Sequence, residues 1–303
     1  MSDETATATT TGGAAADGGR TAERRSRGRL ASVAWHLAAL ALLAVILYPL
    51  VWVVGAAFKP SGDIVGSTQL LPTRPVLDNL QRAMEGIAGI SALVFLRNSL
   101  VLAGASVVGT VVSSALAAYA FARLRFRGRG LMFVLMITTL LLPFHVLIIP
   151  QYIIFQQAGL VDTYAPLLLG KFLATEAFFV FLMVQFMRQL PRELDQAARI
   201  DGCGYWGIFW HVVVPLSRPA FTTAAIFTFI WTWNDLLAPL IYLNTPEKYP
   251  VTLALRLFID QTATSDYGAM IAMSVIALLP VVLFFLAFQR LLVQGMATSG
   301  LKG

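Results

Sequence analysis

The chain has 303 residues, 57% of them hydrophobic and only 13% charged. A water-soluble domain of this size carries about a quarter charged residues, so the composition excludes an ordinary soluble enzyme and points to a polytopic helical membrane protein. The net charge of +6 reads as arginine that sets membrane topology rather than as a nucleic-acid surface, and one cysteine, Cys203, cannot form an internal disulfide.

Residues 1–32 are Thr/Ala/Gly-rich and then Arg-rich, with few large apolar groups. They cannot bury a core and read as a disordered cytoplasmic tail. Arg24-Arg25 ahead of an apolar run resembles a twin-arginine leader, but the run is longer than a signal-peptide core and reads as a retained span.

Six apolar runs follow, each long enough, at about 20 residues, to cross a bilayer. They are Val33–Phe58, Asn98–Phe121, Leu131–Phe155, Ala165–Phe186, Ala220–Tyr242 and Tyr267–Phe288. Unbroken runs of this length predict helices; membrane strands would be short and alternating. Orientation follows from the cations. Arg20, Arg24, Arg25, Arg27 and Arg29 precede the first run, and Arg123, Arg125, Arg127 and Arg129 follow the second. Arg188, Arg192, Arg199 and Arg218 follow the fourth, and Arg290 and Lys302 follow the last. Fifteen of the 22 Lys and Arg residues thus fall on one side, which places both termini in the cytoplasm. On the outer side, Leu77, Leu80, Met84 and Ile87 recur at helical spacing within Lys59–Arg97. They predict a surface helix lying on the membrane or on a neighbouring subunit. The outer loop Leu243–Asp266 carries Pro246, Pro250 and mixed charges, and is long enough to reach a partner.

One inner-face stretch, residues 193–215, ELDQAARIDGCGYWGIFWHVVVP, is charged and polar at one end and aromatic in the middle. Pro191 suits a first helical turn, and Asp195 and Arg199 are spaced as an i,i+4 pair. Leu194, Ala197 and Ala198 make a small apolar face; Gly202 ends the helix and Gly204 keeps the break open. Tyr205, Phe209, Val212 and Val213 line one side of a second short helix, closed by Pro215 and Pro219. Pattern alone fits either an amphipathic connector that seals the membrane surface or a docking element.

The spacing Gln196-Ala197-Ala198, Asp201-Gly202, then Val212-Val213-Val214-Pro215 resembles the cytoplasmic signature loop of binding-protein-dependent ABC importer permeases. That signature is Glu-Ala-Ala, three residues, Gly, nine residues, Ile-x-Leu-Pro. Further stretches look like the maltose-type sugar permeases: Tyr48-Pro49, Phe58-Lys59-Pro60, Asn98-Ser99-Leu100 and Ala118-Tyr119-Ala120-Phe121-Ala122-Arg123. Pro143, Pro150, Trp233-Asn234-Asp235 and the tail from Gln289-Arg290 to Lys302-Gly303 add to the likeness, which spans residues 33–303. Gln196 stands where the signature has Glu, Cys203 where a small residue is usual, and Val212 and Val214 where it has Ile and Leu.

The resemblance implies an all-α, six-span ABC importer type I permease fold over residues 33–303, with a coupling loop at about 188–218. It implies a multi-pass plasma-membrane subunit that is no enzyme and holds no cofactor. Two ATP-binding subunits would bind and hydrolyse ATP, docking on Gln196, Ala197, Ala198, Asp201, Gly202 and Pro215. A second homologous permease and an extracytoplasmic solute-binding protein would complete the assembly, with a sugar or oligosaccharide as substrate. Supply of energy by a partner fits the absence of a GxxxxGK-Ser/Thr motif: Gly170-Lys171 is followed by Phe172, and GGAAADGG at 12–19 is tail composition.

Polar groups inside a membrane are costly and mark function. Asn234 and Asp235, beside Trp231 and Trp233, are candidates for the translocation path, because rings stack on sugar faces while amides and carboxylates bond hydroxyls. Lys171 and Glu176 are weaker candidates that could pair one turn apart. Ser113, Ser114, Ala115, Ala117 and Ala118 make a face for close packing or for the permease–permease contact. Pro143 and Pro150 predict kinks in the third run. His36, His145 and His211 are scattered, without the spacing of a metal site. Rival readings are a permease for glycerol phosphate or a polyamine, or an ion-coupled secondary transporter. The latter calls for repeats and a carboxylate relay, of which the chain offers Asp235.

Overall fold

The computed structural model describes residues 14–259 and 265–300, and side chains among these apart from those of residues 14–31, 144 and 290–300. The first helix, α1 (Ala14–Ala56), reaches back into the segment that composition reads as a disordered tail. Ala, Arg and Glu of that segment favour helix, and propagating an existing helix costs far less than starting one. From Val33 to Val54 its side chains are largely exposed, so in a bilayer they face lipid or another chain. Its end is anchored: Ala56 and Ala57 are buried, and Gly55 lies so close to the Leu70 carbonyl that a Cβ would overlap it.

The short outer helix α2 (Asp78–Glu85), expected to lie on the membrane or on a neighbouring subunit, packs instead on its own chain. It buries Asn79 and Ala83, with Leu80 and Ile87 packed on the core of its own chain, while Leu77 and Met84 stay exposed. Asn79 donates to the Ala57 and Lys59 carbonyls at 3.0 and 2.6 Å. Arg82 pairs with Asp266 at 2.8 Å. These bonds turn the helix inward against the start of the last span.

At the centre stands α3 (Ala92–Arg123), N-capped by Ser91. Its buried stripe runs Phe95, Ser99, Leu102, Ser106, Gly109, Thr110, Ser114, Ala118 and Ala122. From Ser106 to Ala122 the stripe is made of small residues, which let helix backbones approach closely, the usual basis of helix association in lipid. At Gly109 an added Cβ would sit 2.8 Å from the Phe172 ring. Ser114, Ala115 and Ala118 pack inside this chain, which answers one of the two readings of that face.

The third apolar run is two helices, α4 (Arg129–Thr139) and α5 (Phe144–Gln157). Pro143 has no N–H to continue the ladder and biases Leu142 away from helical dihedrals; Pro150 is accommodated inside α5. The fourth run is α6 (Ala165–Phe172) and α7 (Ala177–Gln189), parted at Ala174, whose φ is 57°. The inner loop forms α8 (Glu193–Ile200), α9 (Tyr205–Ile208), a π turn over Phe209–Val213 and α10 (Val214–Leu216). A 73° bend then leads into α11 (Arg218–Asn234). After it come α12 (Leu237–Tyr242), α13 (Val251–Ala254) and the last span, α14 (Tyr267–Gly300).

Among the described residues, four stretches are long and apolar enough to cross a bilayer: Ser32–Ala56, Ala92–Arg123, Ala165–Gln189 and Tyr267–Gln289. The bent pair formed by residues 205–216 and 218–234 makes a fifth if taken as one span. The expected third span is the one most changed, because its break leaves an 11-residue and a 14-residue helix.

Two apolar clusters hold the bundle. One gathers Phe95, Ala103, Phe229, Trp233, Phe258 and Met273. The other gathers Tyr119, Phe179, Met183, Met187, Phe209 and Val213. The helix α3 runs through both, so a shift at one of its ends is felt at the other.

Candidate coupling loop and membrane polar site

In the inner loop, Cys203 N donates to Ala198 O at 2.8 Å and Gly202 N to Arg199 O at 3.0 Å. With φ of 86° at Gly202, these paired bonds are a Schellman stop, which only glycine adopts without strain. The stop turns α8 away from α9. Gln196, Ala197, Asp201, Gly202 and Pro215 are exposed, while Ala198 is buried. Five of the six residues read from the signature are therefore open at the surface, and Ala198 is packed beneath α8. Beside them Ile200, Trp206 and Trp210 are 87%, 66% and 59% exposed, a large apolar display for a water-facing loop.

The sequence pairs Asp195 with Arg199; the structure pairs it with Arg123, at 3.3 Å, with side chains only 15% and 4% exposed. Arg123 also donates to the Leu190 carbonyl at 3.0 Å. An ion pair in this drier site is stronger than one on an exposed helix surface, so Arg123 wins. Arg199 lies instead over the Tyr205 ring, 5.3 Å from its centroid. A second strut is Tyr119, which donates to the Tyr205 carbonyl at 2.9 Å and packs on Phe209 at 5.1 Å. Both struts end on the last turns of α3, so the loop is tied to the central span.

In the membrane, Lys171 and Glu176 do pair, at 2.6 Å, across the break between α6 and α7. The Lys171 carbonyl accepts from Ser113 Oγ at 2.7 Å. Trp231 is 47% exposed, within 6 Å of the Phe178, Phe179 and Phe227 rings. Asn234 is exposed, its amide donating to Ile230 O at 2.8 Å. Asp235 accepts from Ala238 N at 3.2 Å and so caps α12. Trp233 belongs to the core: it is 3% exposed and donates to the Ala277 carbonyl at 3.2 Å. The neighbours in sequence thus part company, with Trp231 and Asn234 on an open face and Trp233 inside.

One constellation is absent from the sequence reading. Asp162, at φ 61°, accepts from Asn244 N, Thr245 N, Thr245 Oγ1 and Lys248 Nζ at 2.9, 3.0, 2.6 and 2.8 Å. The Lys248 bond first, and the Thr245 bonds after it, hold its carboxyl below the ordinary carboxylate range. Asn98 donates to the Glu247 and Tyr249 carbonyls at 2.7 and 3.0 Å, and Ser99 accepts from Val251 N at 2.8 Å. The outer loop is latched from two sides. A lone acid between two apolar runs, at a turn that asks for a left-handed residue, was the available signal. Residues 260–264 of that loop, and residues 301–303 with Lys302, lie outside the described residues.

A family model described as the binding-protein-dependent transport system inner membrane component matches residues 109–298. The chain belongs to this family. It is a multi-pass permease component of the inner membrane, working with a solute-binding protein. It is 34% identical to the probable ABC transporter permease protein YurM of Bacillus subtilis, over 89% of this chain and 88% of that one. The diacetylchitobiose uptake system permease protein NgcG of Streptomyces coelicolor is 31% identical over 81% of each chain. The arabinooligosaccharides transport system permease protein AraQ of Halalkalibacterium halodurans is 32% identical, over 86% of this chain and 92% of that one. A chain of the crystal structure of a bacterial ABC transporter involved in the import of the acidic polysaccharide alginate shares the fold. The two superpose with a TM-score of 0.76 at 21% identity, covering 86% of this chain and 96% of that one.

Proposed function

We propose that this chain is one of two homologous permease subunits of an ATP-driven importer, passing a sugar or oligosaccharide delivered by an extracytoplasmic binding protein. Relatives named for diacetylchitobiose and arabinooligosaccharide uptake support the substrate class. Two ATP-binding subunits supply the energy, and the chain itself performs no chemistry. The observation that carries the mechanism is the inner loop: an open surface at Gln196, Ala197 and Asp201, stopped at Gly202 and strutted to α3 through Arg123 and Tyr119. An ATPase that grips this surface moves α3, and α3 runs through both cores. Gln196, neutral where the signature is acidic, meets the ATPase by hydrogen bonding rather than by an ion pair.

The open face with Trp231 and Asn234, together with the Lys171–Glu176 pair, lines the path. An ion pair and an amide turned to lipid would be expensive, whereas in a hydrated passage they offer a ring and hydroxyl partners. Asp235 acts there as the cap that shapes α12.

The test is sugar uptake and sugar-stimulated ATPase activity in the assembled transporter carrying Gly202→Pro, with membrane level and assembly measured alongside. Proline cannot adopt φ 86° and removes the N–H that closes the stop. Both activities should fall to background with normal assembly; unchanged uptake would reduce the loop to a connector.

A further inference from the structure

Between the last turns of α3, the segment 124–126 and the inner loop lies an open cavity of about 910 Å³. Its wall has two main parts. Leu116, Ala120, Leu124 and Phe126 are apolar and continue the exposed side of α3 that carries Val108 and Val112, while Arg123, Arg125, Arg192 and Arg199 are cationic, and Gln196 of the coupling surface borders it. The one acid in the wall is Asp195, already engaged by Arg123 at 3.3 Å. Arg199 is held over Tyr205, leaving Arg125 and Arg192 exposed at the rim. Trp206, also in the wall, is 66% exposed. Two buried wall atoms, Arg123 Nε and Asp195 Oδ1, have no partner among the described residues.

Positive-inside topology asks only for arginines on this side of the membrane. It does not ask four of them to converge on one cavity with an apolar floor. We propose that this cavity is a binding site for an anionic phospholipid of the cytoplasmic leaflet, its phosphate at Arg125, Arg192 and Arg199 and its upper acyl chain along Leu116, Ala120 and Phe126. Basic pockets beside transmembrane helices on this side favour anionic head groups, and interfacial Trp and Tyr fit the same depth. A bound head group bridges the α3 end to α8, the same two elements joined by Arg123 and Asp195. Lipid charge would thereby bear on how stiffly the loop is coupled to the span. The inference takes from the permease reading only the side of the membrane; lipid retention is read on the complex directly and fails or stands apart from transport.

The experiment uses the full chain, copurified with its partner subunits and exchanged into bilayer discs of phosphatidylcholine with a minor share of phosphatidylglycerol. Lipid retained after delipidation is counted by native mass spectrometry. Wild type should retain phosphatidylglycerol over phosphatidylcholine. Arg125→Gln with Arg192→Gln should lower that retention by about five-fold per arginine, roughly 25-fold together. Arg127→Gln with Arg218→Gln, which removes equal charge outside the cavity, should leave it within two-fold, as a rough bound. Leu116→Trp, which fills the apolar floor without touching charge, should also lower it. Equal loss from the two arginine pairs, or no loss from Leu116→Trp, would reduce the effect to general surface attraction and overturn the site. Displacement of the lipid by excess free glycerol phosphate would assign the cavity to a soluble phosphate instead.

Discussion

The inner and outer loops are both fastened by a carboxylate–cation pair, and the two pairs are built differently. Outside, Asp162 takes four hydrogen bonds and its partner Lys248 is 42% exposed. Inside, Asp195 and Arg123 are nearly buried, at the longer distance of 3.3 Å, and each keeps one atom without a partner among the described residues. The outer loop is pinned by many bonds, each cheap to lose. The inner loop hangs on a few, each costly to lose. A platform that must hold its shape for a partner suits the first design; a lever that must pivot as one body suits the second.

The largest effect that would break this contrast comes from Arg123→Ala. It leaves Asp195 buried without a counter-charge, a loss of about 3–5 kcal/mol. The thermal midpoint of the assembled complex should fall and uptake should vanish. Replacing both partners, as Arg123→Met with Asp195→Leu, should restore most of the stability, since apolar pairs often replace buried ion pairs without loss. Uptake should stay low if the strut transmits motion, and recover if the pair served stability alone.

A middle effect is expected outside from Asn98→Ala. Asn98 is 4% exposed, and its loss strands the Glu247 and Tyr249 carbonyls, about 1–3 kcal/mol. Hydrogen exchange should quicken over residues 244–251 and stay unchanged in the inner loop.

The smallest effect is that of Asp162→Asn, about 1 kcal/mol, because the Lys248 pair is partly exposed and screened. Its pH dependence has a definite sign. The folded carboxyl lies below its ordinary range, so its contribution is complete above that range and declines as pH falls through the folded value. Proteolysis of the outer loop should rise in acid for wild type and be flat with pH in the variant. A steep acid response in both would place the latch elsewhere.

What the sequence by itself determined is local. Apolar runs set the four long spans, Gly202 set the stop of α8, and Pro143 set the break of the third run, because hydrophobic period, left-handed φ and a missing N–H act within a few residues. What only the tertiary structure decided is partnership. Asp195 has a suitable cation four residues away in Arg199 yet takes Arg123 from another helix, since burial strengthens the distant pair. Asp162 looks like a turn residue and becomes the hub of the outer loop. Trp231 and Trp233 are equivalent as a motif, and packing alone puts one on the open face and the other in the core. A chain lists its charges and rings in order, but which of them share a dry site depends on how distant helices pack, and that sets the strength of every such contact.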